Sequence, residues 1–381
     1  MGNSPEQVLA VVQDALRRAL ASQHGSPWTL APGISERAFA QAVQRQRVTS
    51  QLVTRLGDTL PAEVRAHHAA LTTASDGTAR DLHQVLELFT AAGVRVLVFK
   101  GMALAAQAWG DETARGFGDL DLLVSPPDLE RAHHVLREAG WRTSNVYPTP
   151  GPSWGWRQFC RSECEMTFQR GRTDIDLHWH ALPARGAFPE FEELWARREN
   201  VNIRGRRVPT FGFFDALAHS ASHSAKDHWR WLRGIADVHR LMSDPRTWAA
   251  ADRPLRGDQL LTLGVAAQLL GIPDGSPRVV IDAARACQRV LPRVQIVQLM
   301  PERSSAQDWV PGRGTLETMT PLWHARVRPQ EFVRRLSSSA MPPWALAEET
   351  SVHAYTAAPR VLLLRASEVG RRIRQRGLRL L

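Results

Sequence analysis

Apolar positions in residues 1–92 recur at the three- and four-residue spacing of helices. Leu82, Val85, Leu86 and Phe89 form one such stripe, and Gly93 is placed to end that helix. The pattern then changes. Residues 94–99, VRVLVF, are short, β-branched and apolar, which predicts a buried strand. Gly101 permits a tight turn, and MALAAQAW after it predicts a short helix. Residues 119–124, DLDLLV, predict a second strand. Ser125-Pro126-Pro127 opens a helix with Leu129, Ala132, Val135, Leu136 and Ala139 on one face, ended by Gly140. Residues 157–169 and 173–179 predict two strands joined at Arg170-Gly171-Arg172, and residues 201–211 a further strand pair around Gly205. From Phe213 to about Met242 the pattern is helical again, and two or more helices are expected between Gln259 and Val290. Residues 301–350 are rich in Pro, Ser and Trp and predict irregular chain. The tail from Pro359 predicts a basic amphipathic helix. No repeat of 20–50 residues is present.

These elements predict an α+β protein whose core is an α/β-type mixed sheet. The expected divisions are an N-terminal helical segment (1–92), a sheet-bearing core (93–211), a helical domain completing the cleft (212–300), and an irregular then basic helical C-terminal segment (301–381).

Composition narrows the function classes. No apolar run reaches the roughly 18 residues needed to span a bilayer, so no membrane partner is expected. The N-terminus lacks a basic stretch followed by an apolar one, which argues against a leader. Gly2 is followed by Glu at position 6, not the Ser or Thr of a myristoylation site. Three cysteines fit a reducing cytoplasm, and Cys160 and Cys164 lack the second pair of a zinc site. The net charge of +10 favours anionic ligands such as nucleotides. Nucleic acid is the lesser expectation, because no block of five consecutive basic residues occurs.

Within the predicted core, Asp119 and Asp121 alternate along one strand and therefore share a face, while Leu120, Leu122 and Val124 point to the other. Adjacent carboxylates repel unless a cation lies between them. Mg²⁺ prefers oxygen ligands, often one or two carboxylates with substrate phosphates, so the pair suits a metal platform. Asp174 and Asp176 repeat the pattern in TDIDLHWH. If the two strands are neighbours, three or four carboxylates converge. Two divalent ions roughly 3.5–4 Å apart then clamp an in-line phosphoryl or nucleotidyl displacement.

Together Lys100-Gly101, Arg115, Gly118-Asp119-Leu120-Asp121 and Asp174-Ile175-Asp176-Leu177-His178-Trp179 resemble the uncharacterised nucleotidyltransferase family of the DNA polymerase β-like superfamily. The stretch from Ala218 to Lys226 and on through Ile235-Ala236-Asp237 looks like its helical continuation. The resemblance covers about residues 80–245. It implies a polymerase β-like nucleotidyltransferase core, Mg²⁺ (two ions) and an NTP co-substrate. Asp119 and Asp121 would then be shared metal ligands and Asp176 the third carboxylate, with Asp174 its rival. The sequence departs from the superfamily in carrying Lys-Gly where Gly-Gly or Gly-Ser is usual, and in a longer gap between Gly101 and Asp119. The expected reaction moves an NMP group to an acceptor hydroxyl or phosphate and releases pyrophosphate, the acceptor being a small molecule, peptide or protein. A silent nucleotide-binding module, a toxin-like enzyme acting on tRNA and a metal phosphohydrolase are the alternatives.

Only two of the 48 basic residues are lysine, Lys100 and Lys226. A lysine is a compact ammonium on a flexible stem, and an arginine is a broad planar fork. A tight phosphate site beside a glycine turn can refuse the fork. Lys100 and Gly101 are therefore expected to meet the nucleotide, as are Gly118 and Arg115, which lie just before the first Asp pair within reach of a phosphate. His219, His223, Lys226 and Arg230 fall on one face of a helix predicted to start near Asp215, with His223 and Lys226 supporting substrate. His219 and His223 also have zinc-ligand spacing, but no glutamate follows the first histidine.

Overall fold

The structure, a computed structural model, describes residues 3–21, 28–116, 118–183, 186–300 and 346–347. The expected irregular stretch and basic terminal helix lie outside these residues, apart from Leu346 and Ala347. Helices come first in chain order: α1 (Pro5–Ala21), α2 (Glu36–Arg45), α3 (Thr49–Leu56) and α4 (Ala62–Ala91). Val12, Ala15 and Leu16 of α1 and Phe39 and Val43 of α2 are fully buried, as the stripe pattern requires. Helix α4 closes as expected. Gly93 takes φ 68°, and the Val94 N–H donates to the Phe89 carbonyl at 2.8 Å, satisfying an otherwise orphaned helix-end acceptor.

The sheet region follows as β1 (Val96–Phe99), α5 (Gly101–Trp109), β2 (Asp119–Val124), α6 (Leu129–Glu138), β3 (Arg142–Thr143), α7 (Trp154–Ser162), β4 (Glu165–Arg170) and β5 (Thr173–His178). These strands form a five-stranded mixed sheet in the order β1-β2-β5-β4-β3. Strand β1 is buried along its whole length, and β5 alternates, with Ile175 and Leu177 fully buried on one face. The pairs β3–β4 and β4–β5 are antiparallel, with Thr167 opposite Asp176 and Glu165 opposite His178. Gly171 at φ 61° makes the two-residue turn between β4 and β5.

After α8 (Phe191–Ala196), β6 (Glu199–Ile203) and β7 (Arg206–Thr210) pair only with each other, the expected hairpin at Gly205. The remaining helices are α9 (Phe213–Lys226), α10 (Leu232–Ser243), α11 (Pro245–Ala249), α12 (Gly257–Leu270), α13 (Arg278–Ala286) and α14 (Leu291–Leu299).

Two sequence-based expectations are corrected. The strand expected over 157–169 begins only at Glu165, because residues 154–162 are helix α7. Ser153 caps that helix by accepting from the Trp156 N–H at 3.1 Å, and Trp154, Trp156 and Phe159 bury one face. Aromatic residues that favour strands thus pack on a helix here. The helical stretch expected from Phe213 to about Met242 is divided, with a turn between α9 and α10 that the pattern did not predict. His228 and Trp229 both take positive φ (54° and 55°), and the Trp229 N–H donates back to the Ser224 carbonyl at 2.8 Å. Burial of Trp229, whose Nε1 donates to Thr262 Oγ1 at 2.9 Å, accompanies the turn.

By compactness the described chain divides into two units. One contains the residues up to Gln84, Leu97–Asp121, and the chain from Glu192 to α14; the other contains Val85–Val96 and Leu122–Phe191. Strand β2 crosses the division between Asp121 and Leu122.

Candidate active site

In the first unit, the end of β1 answers why a lysine stands at position 100. Lys100 adopts φ 59° and ψ −157°, and Gly101 follows at φ 42° to open α5. Left-handed backbone at a side-chain-bearing residue costs about 1–3 kcal/mol and is held only where the surroundings impose it. The turn sends the Lys100 Nζ to Asp121 Oδ1 at 2.5 Å. Asp121 is 3% exposed, so this ion pair is largely withdrawn from water.

Asp119 is half-buried beside it on the same strand face. Burial and, after it, the Asp121 charge hold the Asp119 carboxyl above the usual carboxylate range, and Lys100, Arg115 and Arg233 only partly offset this. Gly118 precedes the pair in open space, where an added Cβ would meet nothing within 4 Å.

Arg115 is tied down. Its Nε donates to Asp237 Oδ2 at 2.8 Å, and Asp237 is 1% exposed. The other Asp237 oxygen accepts from Gln51 Nε2 at 2.7 Å and Trp109 Nε1 at 2.9 Å. Arg233 lies in the same charged region. It donates to the Gly116 carbonyl at 2.8 Å, and burial, with Arg115 next in weight, lowers its pKa to about 9. Neither Arg233 nor Arg47 was singled out from the sequence, since one arginine among so many carries no signal.

On α9 the expected stripe of four is reduced to two. His219 is 3% exposed and stands edge-on to Phe99 (ring centroids 5.1 Å apart) and Phe211 (5.7 Å), so it is a core side chain. Arg230 lies past the end of α9. His223 pairs through Nδ1 with Asp227 Oδ2 at 3.3 Å. Burial lowers the His223 pKa; the Asp227 hydrogen bond opposes that, and the Lys100 charge adds to the lowering. Burial alone would raise Asp227, but the His223 hydrogen bond and the charges around it hold its carboxyl below the usual range. Asp227 was legible as the i+4 partner of His223 and was missed. Lys226 is exposed at the end of α9.

In the second unit, β5 presents Asp174, Asp176 and His178 on the face opposite Ile175 and Leu177. Asp176 accepts from the Thr167 hydroxyl of β4 at 2.6 Å, and His178 Nδ1 lies 3.1 Å from Glu165 Oε2. Cys164, Glu165 and His178 offer atoms within 4.8 Å of one another, a donor set closer to zinc than to magnesium. Asp174 lies next to the β4–β5 turn, and its buried Oδ1 has no hydrogen-bond partner among the described residues.

A family model described as an uncharacterised nucleotidyltransferase matches residues 32–263. The comparison with curated proteins gives no match. Among solved structures, the solution structure of the antibiotic-resistance factor ANT(2'')-Ia is 14% identical, with 58% of this chain and 96% of that chain covered and a TM-score of 0.30. An antigenic nucleotidyltransferase-like protein from Paracoccidioides brasiliensis is 13% identical, with 62% and 95% covered and a TM-score of 0.30. The family match runs over more than half of the 381 residues and takes in both Asp-bearing strands and α9: the chain belongs to the uncharacterised nucleotidyltransferase family and is a nucleotidyltransferase.

Proposed function

We propose that Asp119 and Asp121 hold divalent metal, magnesium by the hardness of their oxygens, and that Asp176 is the third carboxylate of the reaction centre. The reaction moves a nucleoside monophosphate from an NTP to a hydroxyl or phosphate of a small molecule, peptide or protein. The observation that carries this reading is the placement of two carboxylates on one face of β2, Asp121 buried and Asp119 half-buried, with Asp119 held raised by burial and the Asp121 charge despite three nearby cations. A divalent cation would relieve that repulsion, so the donors fit the ion. The sheet order, with β5 next to β2, supports adding Asp176 to the Asp119–Asp121 pair.

When bound, the metal supplies positive charge to the triphosphate oxygens and lowers the pKa of an attacking hydroxyl. The rest falls to the chain. Lys100 neutralises phosphate charge from the end of β1. Helix α5 begins at Gly101 without a side-chain cap, which leaves first-turn N–H groups to face an anion. Asp176, oriented by Thr167, takes the proton of an acceptor hydroxyl as the new O–P bond forms and the bond to pyrophosphate breaks. His223 and Lys226 support the substrates from α9. Arg115 acts mainly by fixing the approach to β2 through Asp237.

The experiment is incubation of the full chain with labelled NTPs and cell extract, followed by mass spectrometry of the labelled product. Labelling is expected to require Mg²⁺ and to fall by roughly 10²-fold or more in Asp119→Asn, the size of effect seen when a transition-state charge stabiliser is removed. Equal labelling by wild type and variant would remove the proposed metal role.

A further inference from the structure

At the end of the β4–β5 hairpin away from the Gly171 turn, the second unit gathers three metal-ligating side chains of different chemistry. The strand register sets Glu165 opposite His178. The Cys164 carbonyl accepts from the Trp179 N–H at 3.0 Å and the His180 N–H at 3.5 Å, which ties the residue before β4 to the residues after β5. Glu165 Oε2 then lies 3.1 Å from His178 Nδ1 and 4.0 Å from the Cys164 Sγ. His178 is 2% exposed and Cys164 6%, while the Glu165 side chain is 45% exposed. Two donors are thus fixed in the interior, and the third closes the group from the solvent side.

A metal ion dictates the separations between its ligands. Zinc bonds of roughly 2.0–2.1 Å to nitrogen and oxygen and about 2.3 Å to sulfur, at tetrahedral angles, put oxygen about 3.3 Å from nitrogen and about 3.5 Å from sulfur. The observed 3.1 and 4.0 Å differ from these by about half an ångström or less, which a rotation of the exposed Glu165 side chain can take up. An ion pair between His178 and Glu165 accounts for the shorter contact alone. It does not account for a buried sulfur meeting the same carboxylate oxygen, since a thiol is only a weak donor. The donor types select the metal: thiolate with imidazole and carboxylate suits zinc, whereas magnesium and calcium take oxygen. Charge agrees with this. The thiolate and the carboxylate together match a divalent ion, so the filled site carries no net charge into the interior.

We propose that Cys164, Glu165 and His178 form a zinc site that shares no residue with the Asp119–Asp121 pair, with a water as the fourth ligand. Binding displaces the thiol proton of Cys164 as the sulfur–zinc bond forms. The ion would pin the first residue of β4 to the last residue of β5, the strand that carries Asp176. Spacing along the chain hides such a site. The partners of Cys164 are not a second cysteine pair but its neighbour Glu165 and a histidine brought in by strand pairing. The site does not depend on the nucleotidyl-transfer reading.

Cobalt(II) titration of the full chain, stripped with chelator and held in excess Mg²⁺ with a phosphine reductant, tests the proposal. Mg²⁺ fills hard carboxylate sites, and a thiolate-to-cobalt charge-transfer band reports sulfur ligation, which carboxylates cannot give. A single equivalent of Co²⁺ is expected to develop the band, and Zn²⁺ to remove it and raise the melting temperature. Cys164→Ser should abolish the band, and Glu165→Gln and His178→Gln should each weaken binding about tenfold or more. Cys287→Ser and Asp119→Asn should bind as wild type does. Melting curves identify any variant that has lost its fold, and Glu165→Gln, altered at an exposed side chain, keeps the test open where a buried substitution does not fold. No band in wild type, an equal band in folded Cys164→Ser, or unchanged affinity in Glu165→Gln overturns the site and leaves an ion pair only. A band that requires Asp119 overturns it as well.

Discussion

At the scale of single residues, Lys100 is the most consequential position. Its ammonium is the counter-charge of Asp121, a carboxylate that is only 3% exposed. Breaking a buried pair by removing one partner costs about 3–5 kcal/mol, because the other charge is left uncompensated. With Lys100 at 17% exposure the loss belongs at or below the lower end of that range. Lys100→Met is therefore expected to melt earlier than wild type in metal-free buffer. Added Mg²⁺ should recover more stability in the variant than in wild type, since the ion would then supply the missing charge. A thermal-shift titration reads both effects, and Mg²⁺ leaving both melting temperatures unchanged would count against metal at Asp121. Much at this scale was legible. A lysine in an arginine-rich chain, placed between an apolar strand and a glycine, marked the position, and alternation marked Asp119 and Asp121 as one face. The left-handed backbone at Lys100 was not legible, because nothing local favours φ 59° in a lysine; tertiary packing imposes it. His219 shows the opposite failure. Its helical spacing suggested a ligand-facing stripe, but Phe99 and Phe211 claim the ring for the core.

Elements built on glycine turns and apolar alternation were readable. Strand β2 occupies the six residues its pattern predicts, and both hairpins turn at their glycines. Elements whose ends depend on a cap or on distant packing were not. Helix α7 hides in an aromatic-rich run, and its start is set by Ser153. Replacing Ser153 with Ala is expected to cost about 1 kcal/mol, the usual worth of such a cap, with Ser153→Asp close to wild type. Urea denaturation followed by circular dichroism checks this, and Ser153→Ala as stable as wild type would mean the cap contributes nothing. The break between α9 and α10 carries neither Gly nor Pro. It depends on burying Trp229 against Thr262, a contact 33 residues away along the chain.

Acid sensitivity is the property that belongs to the whole chain. His239 is buried on α10 beside the Gly271 carbonyl (Nε2 to O 3.0 Å), and burial lowers its pKa to about 4. His133 of the other unit is likewise lowered to about 4, by burial first and then by Arg137. A histidine neutral in the folded state and protonated in the unfolded state makes unfolding take up protons. Its contribution is complete above the unfolded value near 6.5 and is lost as the pH falls from there towards 4. Each fully buried group of this kind steepens the loss by up to about 1.4 kcal/mol per pH unit. Melting temperatures between pH 7.5 and 4.5 are expected to fall with decreasing pH, and less steeply in His239→Gln. Parallel curves for the two proteins would show that His239 is not the acid-sensitive group.

The carboxylate of Asp237 has one further consequence. It gathers donors from Gln51, Trp109 and Arg115, which are separated by up to 186 positions along the chain from their common acceptor. A minimal fragment trimmed to the strands that carry Asp119, Asp121 and Asp176 would discard both Gln51 and Asp237. It would leave the indole N–H of Trp109 facing nothing and the Arg115 guanidinium without its anchor. The smallest version of this protein that works must therefore keep its leading helices as well as α10, however economical the strands alone look on paper.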